Sequence, residues 1–359
     1  MSEVRQFTVL PDDDGIRLDR WFKRNLPDTN FNLVSRWART GQLRVDGKRA
    51  TPGDRLEAGQ QIRIPPAEPR ANAKPPLERA PLSEDEIAFV NDMVIHRDNA
   101  AIVINKPPGL ATQGGTKTKV HLDGLLDGLA APGEQRPKLV HRLDKDTSGV
   151  LLLARTARAA AFFSKAFSGR TARKVYWALV TGVPSPNEGV IDLPIAKQPG
   201  TGGEKMHVDP ENGLAARTRY RLIERAGNRA AWLELQPHTG RTHQLRVHLA
   251  AIGHPIVGDG KYGGQEAFLT GSISRKLHLH ARRLRIDHPD SGRIDVSAEP
   301  STHFAESLAG LGFDVAAGDL PPDTQTRPRA PGARSKTVTA AAKDRRRARR
   351  GERRKRGGG

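Results

Sequence analysis

Apolar positions recur with two different periods along this chain, and the changes of period mark its elements. Ile16, Leu18, Trp21 and Phe22 have helical spacing, and so do Leu33, Val34 and Trp37. Leu43 to Arg49 reads as a strand entering an Asp46-Gly47 turn, and Ile62 and Ile64 alternate in a strand ending near Pro65. Trp21 and Trp37 fall on the apolar spacing, which assigns them to a core rather than to a nucleobase-stacking surface. From Pro65 to Ser83 the periodicity stops. Pro65, Pro66, Pro69, Pro75, Pro76 and Pro81 predict an extended, semi-rigid linker.

From about Glu84 the pattern turns globular again. Ala101 to Lys106 is a short buried strand broken by Pro107-Pro108-Gly109, and Val150 to Ala154 is another. Thr156 is placed to cap a helix whose apolar face is Ala159, Ala160, Phe163, Ala166 and Phe167. Lys174 to Thr181 and Ala230 to Leu235 read as strands. Thr242 is placed to cap a helix running to about Ala251, stopped by Gly253 and Pro255. Strands and helices mix without regular βαβ alternation, so the expected fold class is α+β with a mixed, largely antiparallel sheet. The expected boundaries are a small domain at 13–66, the linker at 67–83, a large domain at 84–317 and a disordered Arg-rich tail at 318–359.

Composition adds the partner. Hydrophobic residues make up 36% of the chain, low for a wholly globular protein, which fits a solvated tail. The net charge is +19. Residues 321–359 hold 14 Lys+Arg against 3 Asp+Glu, a net of +11, and the other 320 residues carry +8. Both parts favour a polyanion, and nucleic acid fits better than a membrane because the basic run lacks an apolar face. With about six phosphates engaged, affinity would fall ~10³-fold between 50 and 200 mM salt. There are no cysteines, which removes disulfides, thiolate metal sites and cysteine nucleophiles together. No apolar run approaches the ~18–20 residues of a membrane span, and the N-terminus lacks the features of a signal peptide. The expected location is the cytoplasm.

Candidate chemistry concentrates in four segments. His141-Arg142-Leu143-Asp144-Lys145-Asp146-Thr147-Ser148-Gly149 sets two carboxylates among His141, Arg142 and Lys145, directly before an apolar strand. A carboxylate held between cations stays ionised, as a nucleophile requires, and Asp144 and Asp146 are rivals for that role. Tyr176 sits mid-strand, either as a core tyrosine or as a functional one, and its hydroxyl needs a partner if buried. Leu235 to Leu249 is dense in polar groups at a strand-to-helix junction, where anions are favoured. Arg246, one turn into that helix, either faces solvent or points back at a carboxylate. His243 and His248 are spaced wrongly for one helical face, so no metal site is expected. The glycine-rich stretch Gly253 to Tyr262 reads as packing and turns.

Two resemblances bring these segments together. "RLDRWF", "LVSRWARTGQLRVDGKRA" and "GDRLEAGQQIRIP" resemble an S4 domain, a small RNA-binding module. That resemblance implies phosphate contacts at Arg17, Arg20, Ser35 and Arg36. "INKPPGL", "HRLDKDTSG", "KVYWALVTG" and "GRTHQLRVHLAAIGHPIVGD..Y" resemble, in order and interval, the RluA-type pseudouridine synthases. Lys145, Asp146 and Ser148 place the likeness nearest the subgroup that acts on large-subunit ribosomal RNA, the C type. The resemblance implies Asp144 as the catalytic aspartate, Tyr176 packed on the target uracil, and Arg246 in a salt bridge with Asp144. It also implies that Arg142 fills the space left by a flipped nucleotide. Asp146 then pairs with Lys145 or caps a turn. The implied activity is isomerisation of uridine in large-subunit (23S) ribosomal RNA, by a monomer without a cofactor or a membrane. Attack at C1′ of the sugar, attack at C6 of the base and assisted elimination all stay open. A non-catalytic RNA-binding factor is the rival from another class; a hydrolytic glycosidase or nuclease would need a second carboxylate or a metal.

Overall fold

The computed structural model describes residues 4–26, 29, 31–66, 81–114, 120–198 and 205–319. Most of the expected linker, and the Arg-rich tail from 320 onward, lie outside the described residues. The chain divides into two compact units between Pro81 and Leu82. Among the described residues no helix is long and apolar enough to cross a membrane.

The first unit contains β1 (Arg5–Thr8), α1 (Leu18–Asn25), α2 (Phe31–Thr40), β2 (Arg44–Val45), β3 (Lys48–Arg49) and β4 (Gln61–Ile64). Its antiparallel sheet has the order β1-β4-β2-β3. The β2–β3 turn requires positive φ at both central residues, which Asp46 (49°) and Gly47 (78°) supply. Trp21 and Trp37 are each only 2% exposed and share one core with Leu18, Phe22, Leu43 and Ile62, as their spacing predicts.

The second unit opens with α3 (Glu84–Asp92), β5 (Val94–Arg97), β6 (Ala101–Lys106), α4 (Leu122–Leu125), β7 (Lys138–Leu139), β8 (Ser148–Ala154) and α5 (Ala157–Ser168). It continues through β9 (Arg173–Thr181), β10 (Glu188–Asp192), β11 (Ile195–Lys197), β12 (Met206–Val208), β13 (Arg217–Ala226) and β14 (Ala230–Pro237). After these come α6 (Gln244–Ala251), α7 (Gly260–Gly263), β15 (Leu279–Asp287), β16 (Arg293–Ser297) and α8 (Thr302–Gly310). Ten strands form one mixed sheet ordered β10-β13-β14-β9-β15-β8-β6-β5, with β16 beside β15 and β7 beside β8. Its pairs are antiparallel except β15 with β8.

Strand alternation decides what covers each face. Ile102, Ile104, Leu151 and Leu153 face α3 and α4, while Val103, Val150 and Leu152 face Phe163 of α5. Farther along the sheet, Ala178, Val180 and Leu233 meet Leu245 and Leu249 of α6; Trp177, Leu179 and Trp232 meet Phe304 and Leu308 of α8. Both faces of β8 are covered, which explains its unbroken apolar run. Thr156 caps α5 by accepting from the Ala159 N–H at 3.1 Å. Tyr176 packs against both the α3/α4 core and the α6 core, so it lies where two halves of one sheet face meet.

Three expectations change here. The small domain begins before residue 13, because β1 pairs with β4 and Val9 joins its core. The folded body runs on to Asp319 rather than ending at 317: Val315–Asp319 forms a 3₁₀ turn, and Gly318 leaves no room for a side chain above Trp177 and Trp232. Thr242 does not cap α6. His243 takes that position with φ of 53°, a left-handed residue that turns the polar loop sharply into the helix.

Candidate active site

The loop ending at β8 is positioned by a close backbone approach. Gly149 has φ of 108°, and a side chain there would run into the backbone of Ala281. Only glycine lets β8 come alongside β15 at that point. Two side chains then tie the loop down. Thr112 Oγ1 donates to the Leu143 carbonyl (2.7 Å) and accepts from the Leu143 N–H (3.2 Å). Lys106 is fully buried, and its ammonium donates to the carbonyls of Pro107, Leu110 and Lys145 at 2.8–3.0 Å. Burial pushes the Lys106 pKa down to about 7, against the opposing pull of Asp146 and then Asp144.

Within the loop the charges differ from the sequence expectation. His141 stacks on Phe167 with ring centroids 4.1 Å apart, and its Nε2 accepts from the Leu152 N–H at 2.9 Å. Burial and then Lys174 lower its pKa to about 3, so it is neutral rather than a cation beside Asp144. Asp146 is exposed and makes no ion pair with Lys145 among the described residues. Its charge instead helps hold the proton on Lys106.

Arg246 lies in α6, whose residues 244–249 are all buried. Its expected salt bridge to Asp144 is present only at the limit of contact, Nη1 to Oδ2 at 4.0 Å. The close partner is Asp259, which accepts from Nε and Nη2 at 2.8 Å each and is 1% exposed. A guanidinium fork matches one carboxylate in this bidentate way, so the second carboxylate is left with its lone pairs uncommitted. Burial disfavours the Arg246 charge, but the Asp259 hydrogen bonds outweigh it and raise the pKa. Asp259 follows Gly258, where a side chain would meet the backbone of Lys276. The stretch expected to serve only packing and turns therefore supplies the anchor of the site.

Two more residues complete the arrangement. His243 Nε2 stands 3.9 Å from Asp144 Oδ2, and its Nδ1 is 2.6 Å from the Tyr262 hydroxyl. The Met206 N–H donates to that hydroxyl oxygen at 3.1 Å. One proton arrangement satisfies the whole chain: Tyr262 donates to Nδ1, and the Nε2 proton faces Asp144. The Tyr262 ring also lies 5.1 Å from the Arg246 guanidinium.

Arg142, Asp144, Tyr176, His243 and Arg246 line one cavity of about 560 Å³. Tyr176 is half-buried, and among the described residues its hydroxyl has no hydrogen-bond partner, contrary to the expectation for a core tyrosine. Burial and then the Asp144 charge raise its pKa, so it keeps its proton. Arg142 is exposed at the cavity rim. His248 belongs to the core: its nitrogens meet Thr218 Oγ1 at 2.9 Å and the Leu193 carbonyl at 3.0 Å. In the other unit Arg17, Arg20 and Arg36 are exposed and Ser35 half-buried, and Arg17 is paired with Asp19 at 3.0 Å.

Sequence reasoning thus found Asp144, Tyr176, Arg246 and Arg142 in one place and missed Lys106, His243, Asp259 and Tyr262. An arginine on a helix with no exposed face needs a buried carboxylate, and that requirement was the available signal for Asp259.

The arrangement offers a carboxylate with free oxygens, an oriented cation 4.0 Å away and an aromatic ring lining the same cavity, which is large enough for a nucleoside. Residues 100–251 match the family described as RNA pseudouridylate synthase. The chain is 33% identical to the ribosomal large subunit pseudouridine synthase C of Vibrio parahaemolyticus, over 87% of this chain and 99% of that protein. It is 35% identical to the protein of the same name from Vibrio vulnificus, over 80% and 91% respectively. Among solved structures it resembles human RNA pseudouridylate synthase domain containing 4, with 30% identity and a TM-score of 0.56, covering 64% of this chain and 98% of that one.

Proposed function

The chain belongs to the RNA pseudouridylate synthase family, and we propose that it converts particular uridines of large-subunit (23S) ribosomal RNA to pseudouridine, with Asp144 as the catalytic aspartate. An RNA pseudouridine synthase is an isomerase: the N1–C1′ bond breaks, the uracil turns, and C5 bonds to C1′. The C5 proton leaves and N1 is reprotonated, so atoms balance without oxidant, phosphoryl donor or cofactor.

The observation that carries this reading is the sharing of Arg246. Asp259 takes the guanidinium fork, and Asp144 faces the cavity with oxygens free to add to carbon or to stabilise positive character at C1′. The target nucleotide leaves its stack to reach Asp144, at a cost of a few kcal/mol. Stacking on Tyr176, worth about 1–3 kcal/mol, and insertion of Arg142 into the vacated space offset that cost. The choice of large-subunit RNA follows the names of the relatives. The first unit, from β1 to β4, acts as an S4-like RNA-binding domain through Arg17, Arg20, Ser35 and Arg36. Residues 84–319 hold the catalytic domain, and the Arg-rich tail adds phosphate contacts without choosing the site. The protein acts as a monomer in the cytoplasm.

Pseudouridine mapping across all RNAs from cells with and without this protein tests the reading. The expected result is loss of pseudouridine at particular large-subunit positions. An unchanged large-subunit map, or losses confined to transfer RNA, would overturn the substrate.

A further inference from the structure

The cavity holding Asp144 shares a wall with a second one. Arg170, Lys174, His238 and Thr239 line both the 560 Å³ cavity and a neighbour of about 990 Å³, which Arg173 and Arg217 also line. The second cavity contains carboxylates, but they are engaged. Glu234 accepts from Arg221 at 2.8 Å and from Gln236 at 2.7 Å, and Asp319 accepts from Arg282 at 2.5 Å. Arg283 and Arg285 are both held by Asp295. Among the described residues, Arg170, Arg173, Lys174 and Arg217 have no carboxylate within 4 Å.

Three of these four differ from ordinary surface charges. Lys174 is half-buried in strand β9, two residues before Tyr176, and burial lowers its pKa because no protein anion compensates. A half-buried cation without a protein partner is an incomplete pair. Arg170 has φ of 62°, a left-handed conformation that is strained for a residue other than glycine. Arg217 is tied to the active-site loop: its N–H donates to Thr239 Oγ1 (2.9 Å) and its carbonyl accepts from Gln244 Nε2 (3.0 Å). The combined field is felt nearby: burial first, then Arg217, Arg219 and Lys174, push down the pKa of His238.

We propose that this wall is a phosphate track, on which Arg170, Arg173, Lys174 and Arg217 hold the sugar–phosphate backbone of the RNA strand next to the nucleotide that enters the Asp144 cavity. The inference rests on the reading of that cavity as a uridine site. Guanidinium forks suit phosphate oxygens, and four uncompensated cations along a continuous wall suit a repeating anion rather than a single ion. Phosphate contacts of this kind fix register without reading sequence.

The test uses the full-length protein and protein-free large-subunit ribosomal RNA, with binding measured between 50 and 200 mM salt. Arg173→Ala/Arg217→Ala removes two exposed charges. The slope of log affinity against log salt should become shallower by about 1.4, roughly 0.7 per lost contact with a single strand. Lys174→Met, which keeps the aliphatic stem, should flatten it by about 0.7. Arg158→Ala/Arg293→Ala, an equal charge change at residues 77% and 58% exposed and absent from this wall, should leave it unchanged. An unchanged slope in the Arg173/Arg217 variant, or an equal loss in the Arg158/Arg293 pair, would overturn the track. Pseudouridine formed by the unmodified protein in the same RNA reports separately on the proposed function.

Discussion

In the proposed reaction Asp144 is available to a substrate because Asp259 satisfies Arg246 in its place. The guanidinium is 8% exposed as a residue and Asp259 1%, so neither charge has water to fall back on. Removing one partner of such a pair leaves a buried charge uncompensated, which typically costs about 3–5 kcal/mol. Asp259→Ala should therefore lower unfolding free energy by that amount in urea titration. It should also reduce activity in the protein that remains folded, because Arg246 is then free to close on Asp144. A loss below about 1 kcal/mol would show that the pair contributes little. Asp144→Ala removes no close ion-pair partner and should leave stability within roughly 1 kcal/mol of the parent. The two aspartates thus separate: one holds the site together, and the other faces the cavity.

At the scale of elements, what could be read from the sequence was what local signals encode. The apolar run of β8, the Thr156 cap of α5, the Asp46-Gly47 turn and the two tryptophans of the first unit all follow from neighbours within a few residues. Three features depend on segments far apart in the chain and left no local trace. Lys106 reaches the carbonyl of Lys145, Asp259 reaches Arg246, and His243 adopts a left-handed start to α6 beside Gln244, whose Nε2 reaches Arg217 and Thr218. Charge counting erred at His141 for the same reason: its partners are the Leu152 N–H and the ring of Phe167, not a carboxylate. Gly149 is where local and distant constraints meet, since its positive φ and its contact with Ala281 both exclude a side chain. Gly149→Ala should destabilise by more than about 1 kcal/mol, and it should lower activity by shifting the loop that carries Asp144. Wild-type stability and activity in that variant would mean that β8 and β15 do not need this close approach.

Across the whole molecule, several histidines are kept neutral by burial. Their pKa values are pushed down to about 3 for His141 and about 4 for His248, His278 and His280. The unfolded chain protonates these groups near pH 6.5, whereas the folded protein does not. Stability from this source is complete above about pH 6.5 and falls as pH drops toward 4, by about 1.4 kcal/mol per histidine per pH unit. The urea midpoint should accordingly drop steeply between pH 6.5 and 5, and a flat midpoint over that range would contradict the burial of these rings. The proposed function draws on the whole chain too, through its basic body, its basic tail and one cavity that collects Arg142, Asp144, Tyr176 and Arg246. The most direct measurement is pseudouridine content in large-subunit ribosomal RNA from cells lacking this protein and supplied with either the unmodified chain or its Asp144→Ala variant. The expected result is restoration by the first and none by the second, with both proteins folded and present at equal levels. Restoration by Asp144→Ala at the unmodified level would contradict the assignment of catalysis to Asp144.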